Sequence, residues 1–288
     1  MKMMFEKILI PTDFSKHARK VIECAGQIPG VKDVVLLHVI SRDPLARVWD
    51  PVAEIREAEK RLEGEAALLH GMNVKVRAVS VLEGEVASAI QKVADEENVS
   101  LVAMGARGKS LIESVLLGSV SRNVLRYGNT HLLLMRYKLL EGEPVGIYCA
   151  RLLHKVLYPT DFSQPAEAAL SFLKNISEIG ELMLLHVVSR GETKEEIDSA
   201  VQYGTERLNE IAAELRKGGL NVSTKIVVGE ACEQIRSVAA QEDVSLIAMS
   251  SQGATAIKKG RIGSTAYGVA NTASRPVLIL RSSKIAIY

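Results

Sequence analysis

Aromatic residues are scarce: Phe, Trp and Tyr together make up 4% of the 288 positions, so a core must be built from Val, Ile, Leu, Ala and Met. Cysteine is scarcer still. Cys24, Cys149 and Cys232 are odd in number and show no CxxC spacing, which argues against a disulfide framework or a zinc knuckle. Charge of one sign is missing too. Lys plus Arg is 36 against Asp plus Glu at 34, with 20 basic and 19 acidic residues in positions 1–144 and 16 and 15 in the rest. Each half is therefore +1, and neither is a basic arm, so no binding of nucleic acid or of an anionic membrane is expected. Long apolar runs are absent. The longest are strand-sized, such as Val34–Leu37, too short to cross a bilayer. Met1 to Pro11 contains the acidic Glu6 and no apolar stretch before a small-residue cleavage site, so it does not read as a signal peptide. The Asn-x-Ser triplets at Asn98, Asn175 and Asn221 are read as chance. A cytoplasmic, reduced chain is expected.

What is present is an ordinary globular mix, 47% hydrophobic and 24% charged, over a length near twice the roughly 150 residues of one domain. The chain is also written twice. Pro11-Thr12-Asp13-Phe14-Ser15 returns as Pro159-Thr160-Asp161-Phe162-Ser163, and Leu36-Leu37-His38-Val39 as Leu184-Leu185-His186-Val187. Three residues are lost between Asn73 and Gly84. After that, Gly84-Glu85 matches Gly229-Glu230, Val99-Ser100-Leu101 matches Val244-Ser245-Leu246, and Gly118-Ser119 matches Gly263-Ser264. Five collinear matches imply two homologous domains, each far longer than a solenoid repeat. The join falls around Tyr137–Arg151, where Gly142, Pro144 and Gly146 break regular patterns. The expected division is 1–138, a linker at 139–151, and 152–288.

Within each copy, strands and helices alternate. Apolar runs at Lys7–Pro11, Val34–Val39, Leu101–Met104 and Leu132–Met135 read as buried strands, and Val74–Val81 as an edge or half-buried strand. Helical patterns follow Asp13-Phe14-Ser15 and cover Val52–His70, Val86–Glu97 and Gly118–Arg126. Copy two repeats the order from Val156–Tyr158 to Val277–Leu280. Strict alternation of this kind predicts an α/β fold, two doubly wound domains with five parallel strands each and helices on both faces. Ligands of such sheets sit beyond the carboxyl ends of the strands. Polar and glycine residues gather there: Thr12-Asp13, His38-Val39 and Gly105-Ala106-Arg107-Gly108.

The chemistry is read from the loop after the fourth strand. Gly105 and Gly108 are followed nine residues later by Gly118-Ser119. Glycine at a strand end admits a ligand without a Cβ clash, and Gly108 allows a turn with positive φ. A helix opening at Gly118-Ser119 offers free N–H groups and a favourable dipole to an anion. Ser119 and Ser121 add hydroxyls, and Lys109 and Arg122 add positive charge. Phosphate suits this arrangement. The two-residue spacing between Gly105 and Gly108 is not that of a Walker A loop, and no GxGxxG or SGGxDS-like sequence follows strand one.

With Gly105-x2-Gly108-x9-Gly118-Ser119 and Pro11-Thr12-Asp13-Phe14-Ser15 in this βα order, the chain resembles the universal stress protein family over both copies. The resemblance implies Rossmann-like or flavodoxin-like domains of strand order 3-2-1-4-5 and adenine-nucleotide binding, as ATP or AMP, with Mg²⁺ accompanying ATP. Carried onto this sequence, the base lies near Pro11, Thr12, Asp13 and the backbone of Val39. The ribose lies by Met104 and Gly105. The phosphates lie on Gly108, Lys109, Gly118, Ser119 and Val120, and Arg107 and Ser121 complete the nucleotide-binding set. In copy two the matching positions are Pro159, Thr160, Asp161, Val187, Met249, Ser250, Gly253, Gly263, Ser264 and Thr265. Ser250 replaces the first motif glycine; its side chain crowds the ribose position, or its hydroxyl bonds a ribose oxygen. Lys258, Lys259 and Arg261 add charge, and the second site is expected to bind the same ligand class more weakly. The resemblance also implies an intrachain pseudo-dimer of the two domains through their last strands and allows a homodimer of chains.

Other residues leave alternatives open. Asp13 and Asp161 could hold Mg²⁺, touch adenine or ribose, or cap the first helix. His38 and His186 read as buried, hydrogen-bonded histidines rather than metal ligands. Cys24 reads as packing, Trp49 as packing rather than a cover for the adenine site, and His131, which replaces Pro276, as strand-end variation. No catalytic residue is assigned, since no base, nucleophile pair or triad stands beside the phosphate site. The expected role is a regulatory, stress-response nucleotide binder. The alternatives are a slow ATP hydrolase of the adenine-nucleotide α-hydrolase-like fold group and a ligand-free protein-interaction module.

Overall fold

The computed structural model describes residues 5–42, 50–81, 85–106, 116–136, 149–176, 178–189, 191, 193–254 and 262–281. Trp49, Gly84, Arg107, Gly108, Lys109, Lys258, Lys259 and Arg261 lie outside the described residues, as do Gly142, Pro144 and Gly146 at the expected join. The chain divides into two compact units, Met1–Ala150 and Arg151–Tyr288.

Unit one runs β1 (Lys7–Pro11), α1 (Lys16–Cys24), β2 (Asp33–Ser41), α2 (Pro51–Ala66), β3 (Asn73–Val81), α3 (Val86–Glu96), β4 (Leu101–Gly105), α4 (Ser119–Tyr127) and β5 (His131–Met135). Unit two repeats it as β6 (Lys155–Pro159), α5 (Gln164–Leu173), β7 (Glu181–Val188), α6 (Lys194–Lys217), β8 (Val222–Val228), α7 (Ala231–Gln241), β9 (Leu246–Ser250), α8 (Ser264–Thr272) and β10 (Val277–Leu280). All strands within a unit pair in parallel. The order is β3-β2-β1-β4-β5 in the first unit and β8-β7-β6-β9-β10 in the second. This is the expected 3-2-1-4-5 arrangement, twice.

The central strand shows why the sequence folds this way. Ile8, Leu9 and Ile10 are fully buried, because a strand flanked by two others and covered by helices on both faces has no solvent side. β3 instead closes the sheet edge and alternates exposed with half-buried residues along its first turn of sequence. Side chains cap most helices: Ser15, Asp50, Ser163, Thr193 and Glu230 accept from amides of α1, α2, α5, α6 and α7. The helix expected to reach His70 ends at Ala66. Leu68 and Leu69 then close single turns back to Glu65 and Ala66, and Gly71 takes a φ of +77°. That left-handed residue redirects the chain into β3, which an amphipathic pattern continuing to His70 does not reveal.

At the edge of unit one, away from the strands' carboxyl ends, Glu97 is almost wholly buried and faces three cations. Lys75 Nζ stands at 2.6 Å, Arg77 Nη1 at 2.8 Å and Lys7 Nζ at 3.0 Å. Lys75 foremost, with Lys7 and Arg77, outweighs the effect of burial and holds the carboxyl at about 2. A folded-state value below the ordinary one gives stability that is present above about pH 4.5 and lost as pH falls toward 2. Because the partners are partly solvated, the contribution is on the order of 2 kcal/mol. Glu97→Gln should therefore lower unfolding stability at pH 7 by about that amount and flatten its decline between pH 5 and 2. Urea unfolding across this range checks it; an unchanged acid slope contradicts it.

The cysteines depart from expectation. Cys24, at the end of α1, is joined to Cys149 in a disulfide, with Cα atoms 5.2 Å apart and 125 residues between them in sequence. Both partners are buried. Counting an odd set without local spacing could not find a bond between two residues so far apart in sequence. Cys232 keeps a free thiol, which burial pushes up.

Candidate functional site

The turn after β1 is built identically in both copies. The Thr12 hydroxyl accepts the Phe14 N–H at 3.0 Å, Asp13 Oδ1 accepts the Ser15 N–H at 3.0 Å, and Ser15 Oγ accepts the Ala18 N–H at 3.1 Å. Thr160, Asp161 and Ser163 repeat the three bonds. Ser15 and Ser163, not the aspartates, are thus the helix caps. Phe14 and Phe162 both sit at φ +60°, a left-handed conformation that costs a bulky residue about 1–2 kcal/mol. Ring contacts hold them there. Phe14 packs on His38 at 4.3 Å with Arg61 3.8 Å over its face, and Phe162 stacks on His186 at 4.4 Å. The histidines are half-buried and donate from Nδ1 to the carbonyls of Thr12 (2.7 Å) and Thr160 (2.8 Å), which fits their expected structural reading.

β2 outruns β1. Pro11 pairs with Leu37, and the Leu37 carbonyl accepts the Thr12 N–H at 2.8 Å, where β1 ends. Backbone groups two residues along a strand point the same way. Val39 therefore presents its N–H and C=O toward the space that β1 vacates. Thr160 and Leu185 place Val187 in the same position in unit two.

A pocket of about 330 Å³ opens there in unit one. Its walls include Pro11, Thr12, Asp13, Val39, Met104, Gly105, Gly118, Ser119, Val120 and Ser121. Every expected site residue of this copy that is described lies on it. The matching pocket of unit two, about 140 Å³, is lined by Pro159, Thr160, Asp161, Val187, Met249, Ser250, Gly253, Gly263, Ser264 and Thr265. Residues not expected also line them: Ala18, Leu37, His38, Val86 and Ile90 in the first, and Ala166, Leu185, Ala231, Ile235, Gln252 and Ala266 in the second. Most of these carry the apolar faces of α1, α3, α5 and α7. Sequence periodicity marks them as core and cannot say that one edge of the core borders an opening. Beside the first pocket, burial pushes the Glu65 carboxyl up against the pull of Thr12 and Arg19.

Two glycine-capped helices begin at the pockets. Gly118 and Gly263 are the N-cap residues of α4 and α8, and no side chain caps either helix. The Gly118 N–H donates to Ala106 O at 3.0 Å and the Gly263 N–H to Ser251 O at 2.8 Å. The open amides therefore begin at Ser119 and Ser264, one residue later than expected. The Ser121 hydroxyl is not a free donor either, since it donates to Gly105 O at 3.0 Å. Arg122 Nη2 donates to Leu117 O at 3.2 Å, so its charge serves the loop. Ser250 Oγ accepts the Gln252 N–H at 3.3 Å, which turns its hydroxyl toward the loop. The positive φ expected at Gly108 is not found at its counterpart: Gly253 is not left-handed. A Cβ there would collide with Asp161 Oδ2, so close approach, not torsion, requires this glycine.

Among the described residues, no helix is long and apolar enough to cross a membrane. The model of the universal stress protein family matches residues 4–136 and again 153–281. A universal stress protein of Methanothermobacter thermautotrophicus is 44% identical over 148 residues, 46% of this chain and 97% of the relative. Universal stress protein MJ0577 of Methanocaldococcus jannaschii is 32% identical over 161 residues, 48% of this chain and 99% of the relative. Among solved structures, a universal stress protein from Archaeoglobus fulgidus superposes with a TM-score of 0.70 at 27% identity and 96% coverage of both chains. The chain belongs to the universal stress protein family, with two of the family's domains in tandem.

Proposed function

We propose that the two units bind an adenine nucleotide, ATP or AMP, and that the protein serves a regulatory, stress-response role. One observation carries this reading. In each unit, an uncapped helix start and a free edge of the second strand, β2 or β7, face a single pocket from its two ends. The amides at Ser119 and Val120 suit a phosphate chain. The N–H and C=O of Val39 offer the donor and acceptor that the base edge of adenine complements. Asp13 lies between them and can accept from a ribose hydroxyl. Holding, rather than splitting, is the chemistry these groups support: the titratable described residues on the first pocket, Asp13 and His38, are each bonded to backbone.

Thermal unfolding with ATP, ADP and AMP tests the reading. A ligand present at a hundred times its Kd should stabilise the chain by about 2.7 kcal/mol, a rise in Tm of several degrees. No shift from any of the three would overturn it and favour an interaction module. Rapid phosphate release on mixing with ATP and Mg²⁺ would favour the hydrolase.

A further inference from the structure

We infer that the Cys24–Cys149 bond is a redox latch on the first pocket: closed, it holds the nucleotide site in shape, and a dithiol that opens it loosens nucleotide binding in the first unit alone. The inference deepens the nucleotide reading and rests on it. The bond sits at one end of α1 and the pocket at the other. Cys24 is the last residue of the helix, Ala18 in its first turn lines the pocket, and the turn leading into it gives Thr12 and Asp13 to the wall. A helix of nine residues is about 13 Å long and stiff, so a shift at Cys24 is felt at Ala18. The turn is the part that needs holding. Phe14 stands at φ +60°, and such a residue keeps its conformation only where its surroundings over-determine it. The second unit shows what the bond replaces. It has the same turn, with Phe162 also at φ +60°, but no cysteine in or beside α5. With the copies aligned on Pro-Thr-Asp-Phe-Ser, Phe172 stands at the position of Cys24 and Leu173 at that of Ala25. Leu173 and Ala25 are both buried. The second unit thus fastens its helix end with a leucine, which no reductant alters, whereas the first has a single methyl there and a covalent bond beside it. Cys24 and Cys149 are themselves buried, so a dithiol reaches the bond only when this helix end opens. A nucleotide that holds the other end of α1 opposes that opening. The exchange balances without a further reactant. One thiolate of the dithiol attacks a cysteine sulfur, the S–S bond breaks, and the departing cysteine thiolate takes up a proton. The second thiol then displaces the remaining cysteine, leaving two protein thiols and the reductant as its own disulfide.

The test uses two full chains, Gly263→Asp, in which only the first pocket is read, and Gly118→Asp, in which only the second is. ATP affinity is measured by calorimetry before and after reduction with dithiothreitol, at a temperature where circular dichroism shows the reduced chain folded. Reduction should weaken ATP about tenfold in Gly263→Asp, an ordinary size for coupling between two sites, and leave Gly118→Asp within about twofold. Adding Cys24→Ala and Cys149→Ala to Gly263→Asp should give the weaker affinity with or without dithiothreitol. Coupling is reciprocal. Saturating ATP should therefore make the bond harder to reduce by the same factor, read as alkylated Cys24 and Cys149 in a dithiothreitol redox buffer. Affinity that dithiothreitol leaves unchanged in Gly263→Asp, or lowers equally in both chains, overturns the inference, as does an effect of dithiothreitol that persists without the two cysteines. Hydrogen exchange separates this from the nucleotide reading. If no nucleotide binds either form, while reduction speeds exchange at the bonded amides of Phe14, Ser15 and Ala18 but not at those of Phe162, Ser163 and Ala166, the nucleotide reading falls and the latch on the turn stands.

Discussion

Gly118→Asp should abolish nucleotide binding at the first pocket while leaving the fold intact. Gly118 has φ −63° and ψ 160°, torsions that any N-cap residue adopts. An aspartate there needs no backbone change, and its carboxylate would accept from the amides of the first turn of α4. Helix stability should rise by a few tenths of a kcal/mol, because Asp caps slightly better than Gly. The ligand suffers doubly: its amides are taken and a negative charge stands in their place. Each hydrogen bond to a charged group is worth about 1.5–3 kcal/mol, so affinity should fall at least a hundredfold. In calorimetry with ATP, stoichiometry should drop by one site per chain, and Gly118→Asp with Gly263→Asp should leave none. The contrast with Ser15, Asp50, Ser163, Thr193 and Glu230 is instructive. Helices with their own caps have satisfied amides, whereas glycine at α4 and α8 keeps them available. Undiminished ATP binding in the double variant would mean that the nucleotide does not use these helix starts.

Reduction of Cys24–Cys149 should produce the largest change in stability. The bond closes a span of 125 residues, for which chain entropy sets a ceiling of about 5 kcal/mol and typical disulfides give 2–4. A loss of about 3 kcal/mol in a unit of this size lowers Tm by roughly 10 °C. Scanning calorimetry should show the first unit melting that much earlier in dithiothreitol, with no further effect of reductant on Cys24→Ser/Cys149→Ser. Cys24 ends the helix that begins at the Thr12–Ser15 turn, so the bond also fixes the far end of an element bordering the pocket. Identical melting with and without reductant, or three alkylatable thiols in the untreated protein, contradicts this.

Much of this architecture was legible because it is written in short-range chemistry. Pro-Thr-Asp-Phe-Ser after a buried strand is a turn whose three side chains bond within three residues. Gly118-Ser119 marks a helix start by composition alone, and repetition of both segments fixes the two-domain plan. What escaped the sequence is long-range or depends on rotamers. The partner of Cys24 lies 125 residues away. Asp161 finds the Ala254 amide across 93 residues, and nothing in either segment announces it. Ser121 looked like a phosphate donor from its spacing, yet its hydroxyl is spent on Gly105. A positive φ is expected of Gly108, yet its counterpart Gly253 is needed for another reason, to make room for a carboxylate. Residue type predicted which positions surround the pocket. Only the packed chain decides which of their polar atoms remain available.

The most direct measurement is the backbone amide spectrum of the full chain as ATP is added. The account predicts that the signals of Ser119 and Val120, with Val39 at the other end of the pocket, shift together along one saturation curve and stay still in Gly118→Asp. Saturable ATP binding that leaves all three signals unmoved would contradict it.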